Sequence, residues 1–275
     1  MCLRSNYNNP MTAENIKINL GDEIYNVLRP YEFEGLVRVG GFKDGGYVVP
    51  EGYLKNITTF VNFGVGEDFD FEIELSNRYH VLYILSFDNL VSLRYFIIHA
   101  LKGLAKFALR KADVYLVYFR ITLLVKYVKF YLLKPQVKFF KINIDKERTE
   151  KVFSTLPINS GLKVDIEGSE YEILDVIALF KSKFNFIIIE FHSVQLNKVK
   201  IIEFLDSMSD EFQVAHTSFN NMISDVQLNP QTIEVTLCKT DNLLNSYIER
   251  LPNPKLDWHF PNRPIYELDF TPENL

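Results

Sequence analysis

The run Leu162-Lys163-Val164-Asp165-Ile166-Glu167-Gly168-Ser169-Glu170-Tyr171-Glu172-Ile173-Leu174 changes character in its middle. Residues 162–166 form a short apolar run that reads as a β-strand, and Asp165, Glu167 and Gly168 mark where it stops. Over 169–183, Tyr171, Ile173, Leu174, Ile177 and Leu179 give a helix an apolar face. A strand running straight into a helix is half of a right-handed βαβ unit.

The same grammar recurs on both sides. Upstream, 58–63 is a strand that breaks at Gly64-Val65-Gly66 and is followed by a helix over 71–79. Next, 81–87 is a strand ending on Asp88, and 137–144 is a third. Downstream, 184–191 is built around Ile187-Ile188-Ile189 and is followed by a helix over 198–208; 212–216 and 232–238 complete the series. Continuous apolar runs, rather than strict alternation, indicate strands buried on both faces, as in a parallel sheet. The expectation is an α/β fold, a doubly wound, mostly parallel seven-stranded sheet with helices on both faces. Residues 1–57 read as a helical and irregular N-terminal cap, 58–250 as the main domain, and 251–275 as a Pro- and Asn-rich tail that wraps the surface.

Composition narrows the function. The chain has 275 residues, 47% of them apolar and 24% charged, with a net charge of -5. That suffices for one large core and excludes global disorder. A net acidic chain does not point to nucleic acid. Cys2 and Cys238 give neither a disulfide framework nor a zinc pattern and suit a reducing compartment. The first ten residues lack the apolar core of a signal peptide, so a cytoplasmic address is expected.

The charge is unevenly spread. Residues 91–141 hold Arg94, Lys102, Lys106, Arg110, Lys111, Arg120, Lys126, Lys129, Lys134, Lys138 and Lys141 against one acid, Asp113. A bilayer span over 114–133 is rejected, because Arg120, Lys126 and Lys129 would sit at bilayer depth. The basic insertion, about 91–135, reads as amphipathic helices. These either cover the domain or present a basic apolar surface to anionic lipid, an anionic substrate or a second copy of the chain.

Ligands of such sheets bind beyond the carboxyl ends of the strands. Gly64 and Gly66 allow a sharp turn and close approach of a ligand, or make a plain tight turn. Asp88, some 20 residues on, could accept hydrogen bonds from both ribose hydroxyls, or could serve as an acidic helix N-cap. With no phosphate loop and no third glycine, a ribose ligand without pyrophosphate fits better, and S-adenosylmethionine is one. Asp165, Glu167, Glu190, His192 and His216 place oxygens and imidazoles at neighbouring strand ends. They could bind Mg²⁺ or Mn²⁺ or supply a general base, although Glu167 could equally serve as a helix N-terminal acid.

The 162–174 run resembles the signature of FkbM-like S-adenosylmethionine-dependent methyltransferases. Arg38 with Asp44-Gly45-Gly46-Tyr47-Val48-Val49-Pro50, Phe63-Gly64-Val65-Gly66-Glu67-Asp68, Ile189-Glu190-Phe191-His192, Asn220-Asn221 and Pro261-Asn262-Arg263-Pro264 are similar to the branch found in bacterial surface-polysaccharide loci. Ser218 stands where that pattern has a second histidine, Asn62 stands where many such enzymes carry an acid, and the basic insertion lies outside the resemblance. The resemblance implies a Rossmann-like class I fold and O-methylation of a sugar or phosphate-containing group in capsule or lipopolysaccharide synthesis. The cofactor would lie at Gly64, Gly66, Glu67, Asp88 and Asn89. A Mn²⁺ or Mg²⁺ ion would lie at Asp165, Glu190, His192 and His216. His192, Glu167 or Asp165 would carry the chemistry, and the acceptor would meet Arg38, Lys43, Asp44, Tyr47, Asn220 and Asn221. The rival readings are a metal-dependent phosphoester hydrolase, a glycosyl-transferring enzyme and a non-catalytic nucleoside-binding protein.

Overall fold

The computed structural model describes residues 15–17, 22–41, 45–224, 230–240, 246–248, 250–253, 255–257 and 265–270. In chain order the strands and helices begin with β1 (Asn15–Lys17), α1 (Asp22–Leu28), β2 (Leu36–Val39), β3 (Tyr47–Pro50) and α2 (Glu51–Lys55). The central region holds β4 (Thr59–Phe63), α3 (Asp70–Arg78), β5 (Tyr83–Phe87), α4 (Leu93–Ala108), α5 (Val114–Tyr127), β6 (Val137–Phe140) and α6 (Lys146–Thr155). It continues through β7 (Ser160–Val164), α7 (Leu174–Leu179), β8 (Phe184–His192), α8 (Val194–Met208), β9 (Phe212–Ser224) and β10 (Pro230–Lys239), and the chain closes with β11 (Arg250–Leu251) and β12 (Ile265–Asp269).

The main sheet has the order β6-β5-β4-β7-β8-β10-β9. Neighbours from β6 to β8 pair in parallel, whereas β10 runs antiparallel to both β8 and β9. Strand order reverses between β4 and β7, which makes the carboxyl ends of those two strands the switch point where ligands bind. All seven expected strands are present, and β4 and β7 are buried along their whole length.

Two cores sandwich the sheet. Ile187, Ile189 and Phe191 of β8 pack with Ile173, Ile177, Ile201 and Phe204 on one face. Phe186 and Ile188 pack with Val49, Phe60, Phe71 and Leu75 on the other. The second face turns polar toward the strand ends, and that is where the site lies.

Three stretches differ from their sequence reading. The cap is not merely helical and irregular: β2 and β3 form an antiparallel hairpin, Val39 opposite Tyr47, because β-branched residues flank a glycine-rich turn. The helix expected over 169–183 is broken into the single 3₁₀ turns Glu170–Glu172 and Lys181–Lys183 around α7, with Ile173 at φ -119° and ψ 0°. The tail does more than wrap: β12 pairs in parallel with β1 and buries Tyr266 and Leu268 in the first core, where Phe270 just beyond it also packs.

The insertion is a helical hairpin. Ser92 caps α4 by accepting from the Tyr95 N–H, and Asp113 caps α5 by accepting from the Leu116 N–H. A π-helical turn, Val128–Leu132, leads into β6. Among the described residues no helix is long and apolar enough to cross a membrane.

Candidate active site at the strand ends

The glycine turn after β4 owes its shape to two separate demands. Gly64 has φ +85°, and a Cβ there would fall 1.6 Å from the carbonyl oxygen of Asp165, so this glycine lets β4 and β7 close on each other. Gly66 has φ +61° with open space around its Cα. Gly64 is thus fixed by packing within the protein, whereas the sequence left open ligand approach or a plain tight turn.

Asp88 faces this turn and is fully engaged. One carboxylate oxygen accepts from the N–H groups of Val65 at 2.9 Å and Gly66 at 3.1 Å; the other accepts from Leu90 at 2.6 Å and Val91 at 2.9 Å. A carboxylate offers about four acceptor positions, so ribose hydroxyls at Asp88 would have to share or displace these amides. The alternative from the sequence, an acidic N-cap of the next helix, does not hold, because Ser92 caps α4; Asp88 instead clamps the backbone of the glycine turn and of residues 90–91. Asn89 is exposed and donates to Asn143 at 3.2 Å. Glu67 accepts from the Tyr95 hydroxyl at 2.7 Å and pairs with Arg120, which ties the turn to both helices of the hairpin.

Across the switch point, Asp165, Glu190 and His192 each place one ligand atom within 4.8 Å of the others. His216 is not among them: its Nε2 lies 3.2 Å from Asp257 Oδ1, deep between β9 and the tail. It sits on a different part of the sheet because β10 intervenes between β8 and β9.

His192 is oriented by a residue that the sequence reading passed over. Glu170 is fully buried; one oxygen accepts from the His192 N–H at 2.7 Å and the other from the Gly168 N–H at 2.8 Å. The oxygen that accepts from His192 is also 3.4 Å from its Nδ1, while Nε2 faces Glu167 at 3.6 Å and Glu190 at 3.8 Å. The Tyr171 hydroxyl donates to the His192 carbonyl at 2.6 Å, so the backbone of His192 is held from two sides. Burial alone would lower the imidazole pKa, but the Glu170, Asp165 and Glu167 carboxylates outweigh it and raise the value above its ordinary 6.5. Glu167, by contrast, is 82% exposed at its side chain and has φ +53°, a left-handed conformation uncommon outside glycine. The turn at 167–168 throws Glu167 outward and lets Glu170 fold back under the histidine.

Behind Asp165 stands a buried ammonium. Lys163 Nζ is 3.3 Å from Asp165 Oδ2 and 3.2 Å from the Gly64 carbonyl. Burial disfavours its charge, yet Asp165, Glu72 and Glu190 raise its pKa, so it stays protonated. Tyr47 closes the site from β3: its hydroxyl is 3.3 Å from Asp165 Oδ2, and its ring lies 5.0 Å from the Lys163 ammonium. Glu72 is fully buried and accepts from Asn62 Nδ2 at 2.6 Å; burial lifts its pKa to about 7. Asn62, the position without the usual acid, thus has a carboxyl supplied to it by α3.

Of the remaining expected acceptor residues, Arg38 donates to the backbone carbonyls of Gly41 and Leu256, which ties the cap to the tail. Asn220 lies in β9 opposite Thr232. Asn221 is also in β9, but its side chain lies outside the described residues, as do Lys43, Asp44 and the 261–264 run.

A sheet of six like-directed strands with one reversed strand second from the edge, carrying a glycine turn and an acid on adjacent central strands, has the Rossmann-like class I methyltransferase fold. Residues 138–224, about a third of the chain, match the Methyltransferase FkbM domain and include Asp165, Glu170, Glu190 and His192. The protein is an S-adenosylmethionine-dependent methyltransferase, and residues 138–224 are similar to the FkbM domain. No curated protein sequence matches the chain significantly.

Solved structures are similar at long range. The fibrillarin pre-rRNA processing protein of Methanococcus jannaschii gives a TM-score of 0.39 at 7% identity, over 86% of each chain. The precorrin-6y C5,15-methyltransferase of Geobacter metallireducens GS-15 gives 0.38 at 12% identity, over 69% of this chain and 87% of that one. M. jannaschii TYW2 in complex with AdoMet gives 0.35 at 11% identity, over 76% and 89%. Likeness this distant says nothing of what the present chain acts on.

Proposed function

We propose that this protein methylates a hydroxyl oxygen of a sugar or phosphate-containing group in bacterial surface-polysaccharide synthesis, with His192 as the base. The observation that carries the chemistry is the buried Glu170 beneath His192 Nδ1, which leaves Nε2 facing the switch point. A base needs an imidazole with one nitrogen available to the acceptor; Glu170, 3.4 Å from Nδ1, favours a proton on that nitrogen and leaves Nε2 for the acceptor. The acceptor class rests on the resemblance of the 162–174 run and its companion motifs to the surface-polysaccharide branch.

S-adenosylmethionine, when bound, supplies an electrophilic methyl group. The residues present suit it in type: Glu67 and Asp88 are acids at the ends of the two central strands, and the glycine turn between them has open space at Gly66. Asp88 would have to release some of its amide partners, so binding is expected to loosen the turn. The chain's own part is to align the acceptor oxygen through Tyr47 and Asp165 and to take its proton at His192 Nε2. Lys163, 3.3 Å away, holds Asp165 in place.

Metal assistance is a second reading, favoured by the Asp165, Glu190 and His192 cluster. These donors suit Mn²⁺ or Mg²⁺ in type, but the Lys163 ammonium already balances one of them. Titration calorimetry with S-adenosylmethionine and S-adenosylhomocysteine, with and without Mn²⁺, followed by transfer of labelled methyl to nucleotide-linked sugars, tests both. Binding and transfer without metal support the His192 base; transfer that appears only with Mn²⁺ supports the cation. Failure to bind either nucleoside overturns the reading, and metal-dependent phosphoester cleavage would put a hydrolase in its place.

A further inference from the structure

The base of the α4–α5 hairpin is bolted down. Arg120 pairs with Glu67, Lys126 bonds Asp70 at 2.7 Å, and Phe96, Leu123 and Tyr127 are buried against the sheet. Gly103 lets α5 approach α4 closely near Val117 and Arg120. Beyond that crossing the body ends: no residue over 104–116 is buried.

This tip is built unlike a solvated surface. Leu104, Phe107, Leu109, Val114, Tyr115 and Tyr118 are exposed, the last four of them at 67–68%. Interleaved with them, Lys102, Lys106, Arg110 and Lys111 are exposed and form no ion pair among the described residues. The one acid, Asp113, is occupied as the cap of α5. Exposed apolar patches of this kind mark interaction sites.

We propose that the tip of the α4–α5 hairpin docks on an anionic lipid bilayer. Apolar and aromatic side chains seat in the headgroup boundary while neighbouring Lys and Arg meet lipid phosphates. The charge distribution selects this occupant. Four basic residues against one acid cap a molecule whose net charge is -5, so an anionic surface attracts the tip and repels the body. Two tips brought together in a dimer would oppose like charges. Docking is tip-first, and the Glu67 contacts link the docked hairpin to the glycine turn.

The test is sedimentation of the full chain with vesicles of phosphatidylcholine alone and with roughly one third phosphatidylglycerol. Binding is expected only to the anionic vesicles and should fall with added salt. The combined variant K102E/K106E/R110E should weaken it by about a hundredfold or more, since each basic residue near such a surface is worth roughly fivefold. The variant F107S/Y115S/Y118S should abolish it, with thermal melting and S-adenosylmethionine binding unchanged as proof of folding. A second readout is a blue shift of tryptophan fluorescence in Y118W on adding anionic vesicles. Equal binding to neutral vesicles, no binding, or unaffected variants would overturn the proposal. So would a dimer in light scattering that the tip variants dissolve, since the surface would then belong to a second copy. None of these readouts depends on methyl transfer, so failure of the proposed activity leaves them intact.

Discussion

At His192 two effects oppose each other on one ring: burial expels the proton, and three carboxylates hold it, with Glu170 the nearest on Nδ1. The carboxylates win, so a base at this position works only above a pH higher than the ordinary histidine value. Replacing Glu170 by Gln removes a negative charge and turns an amide N–H toward a backbone N–H. Methyl transfer should then fall by about 10–100-fold, the usual cost of losing the partner that orients a histidine. The rising limb of the pH–rate profile should move to lower pH; a limb that stays put would mean that Glu170 does not act on His192. Glu72 makes a stability prediction. Its folded pKa of about 7 lies above its ordinary 4.5, so its contribution is full below about pH 4.5 and is lost as pH rises through 7. Thermal melting from pH 5 to 8 should show stability falling, by a few kcal/mol at most from this group, and Glu72→Gln should flatten the curve. The sequence offered Asp165 and Glu167 as site residues and left Glu170 out of the site. Only the left-handed turn at Glu167 and Gly168, a backbone property, decides which acid faces water and which lies beneath the histidine.

At the scale of elements, strands were the most legible features, because a strand buried on both faces needs an uninterrupted apolar run and little else. The β2–β3 hairpin was hidden by its short strands and glycine-rich turn, and the break in 169–183 by an apolar spacing that a continuous helix would also satisfy. The glycine turn was legible as a turn, for ligand approach or as a plain tight turn, but the closeness of Gly64 to β7 was not, and Gly64→Ala tests that closeness. With a Cβ 1.6 Å from a backbone oxygen, β4 and β7 must part at their ends. Stability should drop by about 2 kcal/mol or more, the range for a glycine whose backbone conformation a side chain cannot share. Denaturant unfolding measures it; a neutral result would show that the two strands have slack. The insertion's basic character was visible in sequence, but not that Arg120 and Lys126 are spent on Glu67 and Asp70. Arg120→Ala should release Glu67 and speed amide hydrogen exchange over 93–127. The cost in global stability should be under about 1 kcal/mol, because this ion pair is partly exposed.

Across the whole molecule, the two ends of the chain close the fold from the edge remote from the glycine turn. β12 bridges β1 and β11, and Asp257 brings a carboxylate against His216 inside the edge strand β9. Asp257 also accepts from the Asn253 N–H at 2.6 Å, and Leu256 beside it accepts from Arg38 of β2. One short tail segment thus connects the edge of the sheet to the cap hairpin that carries Tyr47 onto Asp165. Sequence could show His216 as a ligand candidate, but its partner lies beyond β10 in a Pro-rich tail, where no periodicity links the two. Asp257→Ala removes the acceptor of the Asn253 N–H and frees the tail, which should cost about 1–3 kcal/mol, the range for stranding a buried polar group. Asp257→Asn, which keeps an acceptor oxygen, should cost less. If the tail positions the cap as the Arg38 contact implies, S-adenosylmethionine affinity should change little in Asp257→Ala while acceptor turnover falls, because Asp88 holds the glycine turn and the proposed acceptor side includes Tyr47 of the cap. Calorimetry and turnover measured on the same folded preparation decide it: equal loss of both would place the tail's influence on the entire sheet, not on the cap.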